Sequence, residues 1–155
     1  MSSGEVHHKY YLRGYKYVIP ASLIICLLEW KFGMGYLVGY TLGRYIDPDL
    51  DLMGTTAAEG RQVNELPVLG HILYGISSAY GSIFRKRHRS WMTHLPLIST
   101  MGRLIFFFGL FFVWGDGHAI NFIGGGWIWF WLSLWLGLSH ADGIHYYHDK
   151  HETKE

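Results

Sequence analysis

Apolar residues gather into stretches separated by short polar breaks, and the length of each stretch limits what it can span. The clearest covers 95–114, 20 residues whose only charge is Arg103. As a helix rising ~1.5 Å per residue it reaches ~30 Å, enough to cross a hydrocarbon core. The next opens at Trp127 and reads WIWFWLSLWLGLSHADGI. It predicts a helix over 127–149 whose leading tryptophans suit the interfacial aromatic belt. Gly124, Gly125 and Gly126 interrupt the chain before it, so 115–126 forms a short loop.

The first 46 residues hold two shorter apolar pieces, 15–30 and 33–46, interrupted at Glu29, Lys31 and Gly33. As helices they would reach ~24 Å and ~21 Å. One continuous span would carry Glu29 and Lys31 into the bilayer at a cost of several kcal/mol. The pattern therefore predicts a tight hairpin turning near Glu29–Gly33, with one long helix as the alternative. Asp47-Pro48 ends the second piece, because proline disfavours helix in the residue before it. In the long connection 47–94, residues 51–65 are polar and rich in turn formers. Residues 66–84 are moderately apolar and glycine-rich and lead into Arg85-Lys86-Arg87. That suits an interfacial or partly buried helix, with a re-entrant segment as the alternative. The tail from Lys150 is charged and expected to fray. The expected architecture is all-α: one membrane domain over 1–155, with four transmembrane helices and an interfacial helix in the cytoplasmic connection.

Composition strengthens the membrane assignment. Charged residues make up 16% of the chain, against roughly 25% in an average soluble domain. Seven Trp, eleven Tyr, nine Phe and 20 Gly fit lipid contact and close helix packing. A net charge of +1 gives no reason to expect nucleic acid as a partner. Cys26 is the one cysteine, so no intrachain disulfide forms. The polar N-terminus shows no cleaved signal peptide. Charge distribution sets the expected orientation. Lys9, Arg13 and Lys16 precede the first helix. Arg44, Arg61, Arg85, Lys86, Arg87 and Arg89 lie in or beside the long connection, and Lys150 and Lys154 lie in the tail. The 115–126 loop has no Lys or Arg, and the hairpin turn has Lys31 alone. By the positive-inside rule both termini and the connection face the cytoplasm of a multi-pass inner (plasma) membrane protein.

Ten histidines call for a reason. With the predicted topology, His7 before helix one, Asp47, Asp49 and Asp51 after helix two, His88 and His94 before helix three, and His145 and Asp149 closing helix four all lie on the inner side. The outer loops hold only His118 and Asp116 of these types. Imidazole and carboxylate together suit zinc, manganese or iron, and three or four such ligands hold one ion. Enough are present for one ion or for two ions ~3.5–4 Å apart. His145 and Asp149 share a helix face at i, i+4. Asp49 and Asp51 point the same way in an extended segment, and Asp47 either joins them or caps the next stretch of chain. Singly, each element has a plainer account: His88 in a basic stripe on anionic lipid, Asp47-Pro48-Asp49 as turn chemistry, and His140, His148 and His151 in a solvated tail. Arg103, inside a membrane helix, needs a carboxylate, a carbonyl or an anionic substrate as partner.

The chain carries Ser3-Gly4-x-x-His7 and Pro48-Asp49-Leu50-Asp51, then His88-Arg89-Ser90-x-x-Thr93-His94-x-Pro96 with Arg103 beyond it. Gly137-Leu138 and His145-x-x-x-Asp149 come last. In this order they resemble a family of metal-binding integral membrane proteins with a domain of unknown function, related to the YdjM-type inner-membrane metal-dependent hydrolases. The resemblance covers nearly the whole chain. It departs at His8, where an acidic residue is expected, and over 53–84. It implies metal ligation by His7, Asp49, Asp51, His88, His94, His145 and Asp149, a set similar to the His/Asp clusters of zinc phospholipase C. The expected function is a metal-dependent hydrolase holding one or two divalent ions, zinc before manganese or iron, and acting on a phosphoester or lipid-like substrate. Asp47 or Asp51 would serve as general base, while Arg89 and Arg103 would hold an anionic group such as a phospholipid head. The alternatives are a non-catalytic metal-binding subunit of a larger membrane complex and, more weakly, a metal-ion transporter, whose site would sit nearer the midplane.

Overall fold

A computed structural model describes residues 4–49, 57–84, 95–114 and 126–152. Among them are six helices and no strand: α1 Gly4–Leu28, α2 Trp30–Leu42, α3 Ala57–Glu65, α4 Leu69–Phe84, α5 Ile98–Trp114 and α6 Ile128–Glu152. The all-α expectation holds. The chain breaks at Glu29, whose extended backbone and side-chain oxygen cap α2 by accepting from the Lys31 N–H. The hairpin is therefore present, and the single long helix is not.

Several boundaries differ from expectation. Helix α1 begins at Gly4, not 15, because its polar first half finds partners. The Tyr11 and Tyr40 rings stack at 4.7 Å, and each hydroxyl donates to the other residue's carbonyl. Such tertiary partners outweigh the stretch's polar composition. Helix α2 stops at Leu42, and 43–46 turn before the short helical turn at 48–49. Residues 57–65, read from sequence as part of a polar turn region, form α3. Its Gln62 is fully buried, donating to the Tyr45 carbonyl at 2.5 Å and to Ser77 Oγ at 3.0 Å. The charged end of α6 stays helical through Glu152.

The central packing is α2 against α6, running parallel. Gly35 and Gly39 of α2 and Gly43 at its C-terminal cap recur every fourth residue along one face. A Cβ at Gly39 would meet the Leu134 carbonyl, one at Gly35 the Phe130 carbonyl, and one on the facing Gly137 the Tyr36 carbonyl. Small residues at this spacing let helix backbones touch, the packing mode favoured inside membranes. Helix α1 lies antiparallel on α2: Gly33 meets Ser22 and Cys26 at one end, and Gly14 meets Tyr40 toward the other. Helix α4 packs Tyr80 on Ile46 and Phe107 of α5. At the far end, Lys31 Nζ donates to the Gly126 carbonyl at 2.9 Å and lies over the Trp127 ring. Gly126 itself has φ +81°, which favours glycine at the entry to α6.

Among the described residues one helix, over His8–Leu28, is long and apolar enough to cross a membrane. Ile98–Gly109 is a shorter apolar helix. At 13 residues, α2 would extend only ~20 Å, less than a ~30 Å hydrocarbon core. Four spans are therefore not each evident by length and composition.

Candidate metal centre

Because α1 is antiparallel to α2 and α6 is parallel to it, the N-terminal part of α1 and the C-terminal parts of α2 and α6 meet at one end of the bundle. There a cavity of about 30 Å³ is lined by His8, Tyr11, Arg44, Asp47, Arg61, Asp142 and His145, among others. Each comes to it for a local reason. Pro48 helps end α2 and is itself buried. Asp47 Oδ1 accepts from the Asp49 N–H at 3.1 Å, the turn chemistry an Asp two residues upstream favours. That bond presents the Asp49 carboxylate to α6, where its Oδ2 lies 3.5 Å from His145 Nε2.

The 3.5 Å separation is informative. It is longer than the roughly 2.7–2.9 Å of a charge-assisted hydrogen bond. Two ligands each ~2.0–2.1 Å from a tetrahedral ion would stand ~3.4 Å apart. The two side chains are thus close enough to share one ion. Around them three arginines face four carboxylates. Arg44 pairs with Glu65 at 2.6 Å, Arg61 with Asp47 at 3.7 Å, and Arg103 with Asp142, while Asp49 faces the imidazole. With the histidines neutral, the set carries one negative charge in excess, which suits a cation. Burial pushes the Asp47 carboxyl up to about 6, helped by the neighbouring Asp49 charge and opposed by His145, Arg61 and Arg103. A carboxyl pushed toward its protonated form by its surroundings is one that a cation would return to the charged state.

Arg103 has a definite partner. It is fully buried; Nη1 donates to the Ile46 carbonyl at 2.5 Å and Nη2 to Asp142 Oδ2. Thr100 donates its hydroxyl to the same oxygen. Of the partners expected for Arg103, a carboxylate, a carbonyl or an anionic substrate, the structure supplies the first two. Asp142 was not singled out from sequence, although an aspartate within an apolar stretch carrying a membrane-helix arginine as its counterpart is the pattern to seek. Arg61 and His8 were likewise missed as site-lining groups. They sit in a polar helix and a polar leader with no spacing that marks them.

Asp47, Asp49, Arg103 and His145 are thus brought together. Asp51, His88, Arg89 and His94 lie outside the described residues, as do the side chains of His7 in α1 and Asp149 in α6. Among the described residues no three His, Cys, Asp or Glu side chains converge on one point as a metal site. His140, expected in a solvated tail, hydrogen-bonds the Tyr36 hydroxyl through Nδ1 at 2.6 Å, and His148 stacks on Tyr10 at 3.8 Å.

Compared with known proteins, the chain matches no family model, no curated protein and no solved structure.

Proposed function

We propose that this chain is a multi-pass membrane protein that binds a divalent metal ion at the cytoplasmic end of its bundle, where it hydrolyses a phosphoester or lipid-like substrate. The observation that carries the binding proposal is the His145–Asp49 pair, set 3.5 Å apart by two different chain segments. Asp51, His88 and His94, with His7 and Asp149, are the residues proposed to complete the ligand set, as the resemblance to metal-dependent membrane hydrolases implies. A bound divalent ion would supply a water of pKa ~7 and polarise a phosphoryl oxygen. Of the chain's own groups, Asp47 or Asp51 would accept a proton as general base, Arg61 would hold Asp47 in place, and Arg89 would meet the substrate's negative charge. The multi-pass placement draws on the outward-facing apolar side chains of α1, where Leu27 and Leu28 are 86% and 85% exposed, and on the glycine-mediated helix packing.

The test is metal content. Purified wild type is expected to carry one or two equivalents of zinc, manganese or iron, while Asp49→Ala and His94→Ala lose them. A folded wild type that takes up no metal would end the proposal. If metal binds but no phosphoester or lipid is turned over, with His94→Ala as the blank, hydrolysis is excluded and binding stands.

A second reading, a non-catalytic metal-binding subunit of a larger membrane complex, is favoured by one feature. An almost wholly apolar groove of about 220 Å³ runs between α5 and α6, lined by Leu104, Phe108, Trp131 and Trp135 among others. Stripping the metal would then dissociate a stoichiometric partner, which the hydrolase reading does not require.

A further inference from the structure

The buried ion pair between α5 and α6 leaves two atoms with no partner, Arg103 Nε and Asp142 Oδ1. Asp142 is 1% exposed, and both donors that reach it, Arg103 Nη2 and the Thr100 hydroxyl, bond the same oxygen, Oδ2. Its other oxygen, Oδ1, is buried and accepts no hydrogen bond. Buried acceptors are ordinarily satisfied, because leaving one bare forfeits its full hydration. Asp142 also lines the small cavity beside His145, one helical turn away, and Asp47. Two more unpartnered atoms, His8 Nδ1 and Arg44 Nε, belong to other residues lining that cavity. The cavity's 30 Å³ exceeds the ~10–15 Å³ one water requires, but two or three waters would fill it.

We propose that Asp142 Oδ1 is a working part of the site: it accepts a hydrogen bond from a water molecule carried in by the divalent cation that His145 and Asp49 hold. The inference rests on the metal-binding reading above and extends it to a residue that reading does not use. Geometry separates Asp142 from the direct ligands. No three ligand-type side chains among the described residues share one metal point, so its contact is through water, the outer-shell role that orients what the metal binds. Arg103 and Thr100 act as positioning residues. By occupying Oδ2 they leave Oδ1 as the oxygen available to the cavity. Arg103 also grips the Ile46 carbonyl, next to Asp47, so one side chain ties the acceptor to the turn that bears Asp47 and Asp49.

The experiment is Zn²⁺ titration of the full-length protein in detergent, followed by calorimetry, with helical content recorded alongside. Asp142→Ala alone would strand a buried arginine and risk unfolding, so the main variant is the double substitution Arg103→Met/Asp142→Leu, which replaces the pair with apolar groups of similar size. A second variant, Thr100→Val, removes only one hydroxyl donor to Oδ2. The expected result is a folded double variant with Zn²⁺ affinity lowered about 10–100-fold, the usual loss for an outer-shell partner, and a smaller loss for Thr100→Val. Wild-type affinity in the folded double variant would overturn the proposal. Should the double variant not fold, unchanged affinity in Thr100→Val would overturn it and a measurable loss would support it. A wild type that binds no Zn²⁺ defeats the metal-binding reading itself, a result distinct from equal binding by wild type and variants.

Discussion

Gly39 of α2 lies against the main-chain carbonyl of Leu134 in α6, so close that a methyl group there would overlap backbone atoms. Backbone cannot rotate away as a side chain can, so the two helices would have to separate. Gly39→Ala is expected to cost about 1–3 kcal/mol, the usual penalty for overpacking. Gly102→Ala is the control, since nothing lies within 4 Å of a Cβ at that helical position. It should be neutral or stabilise by up to ~1 kcal/mol, the helix propensity difference between the two residues. Denaturant unfolding in micelles compares the two. Equal stability for both variants would show that α2 and α6 do not cross at this depth.

The Arg103–Asp142 pair makes a prediction about non-additivity. Either partner removed alone leaves a buried charge uncompensated, at a cost of roughly 3–5 kcal/mol. Arg103→Met loses in addition the bond to the Ile46 carbonyl, so it should be the worse of the two single variants. The double variant should recover most of that loss, giving a large coupling energy in a double-mutant cycle. Additive single effects would mean that the two side chains do not meet in the folded protein.

Acid and base titration should report on Asp47. Its carboxyl is raised from 3.8 to about 6, first by burial and then by Asp49, so the folded metal-free protein favours the protonated form. Its contribution to stability is therefore complete below pH 3.8 and is lost as pH rises through about 6. In metal-free protein, Asp47→Asn should remove that component, and stability should fall less between these pH values than in wild type. The groups that set the shift are Asp49 on the same turn, His145 on α6, Arg61 on α3 and Arg103 on α5. If wild type and Asp47→Asn lose stability in parallel over this interval, Asp47 does not titrate there. With metal bound the carboxylate form is favoured instead, so adding Zn²⁺ should flatten or reverse the wild-type slope.

Features set by local chemistry were legible in the sequence, and those set by distant partners were not. The break at Glu29 was legible because Glu29, Lys31 and Gly33 interrupt two apolar runs, and the stop at Asp47-Pro48 because proline acts locally. The meeting of Asp47, Asp49 and His145 came from counting helices and ends, which needs topology alone. Asp142 was hidden because its partner is 39 residues away. Helix α3 was hidden for the same kind of reason. Its polar sequence is held in place by Gln62 reaching Tyr45 and Ser77, and by Arg61 reaching the Arg44 carbonyl at 3.0 Å. The repeat Gly35, Gly39, Gly43 was present in the sequence, but glycine count alone did not show that the three share a face.

The two ends of the bundle should face opposite compartments, and chemistry at single cysteines can decide it. Lys9 and Lys150 lie on the α1 and α6 ends that carry the cavity, whereas Lys31 lies at the other end, bonded to Gly126. About 25 residues of helix, ~37 Å, separate the ends of α1. In a Cys26→Ala background, which removes the chain's single native thiol, Lys31→Cys is expected to react with a membrane-impermeant maleimide added to intact cells. Lys9→Cys and Lys150→Cys should react only after the membrane is opened, because the positive-inside rule places their flanks in the cytoplasm. Reaction of all three from one side would mean that the bundle lies along a single face of the bilayer. The shared end of α1, α2 and α6, and with it the cavity, would then no longer be assigned to the cytoplasm by charge.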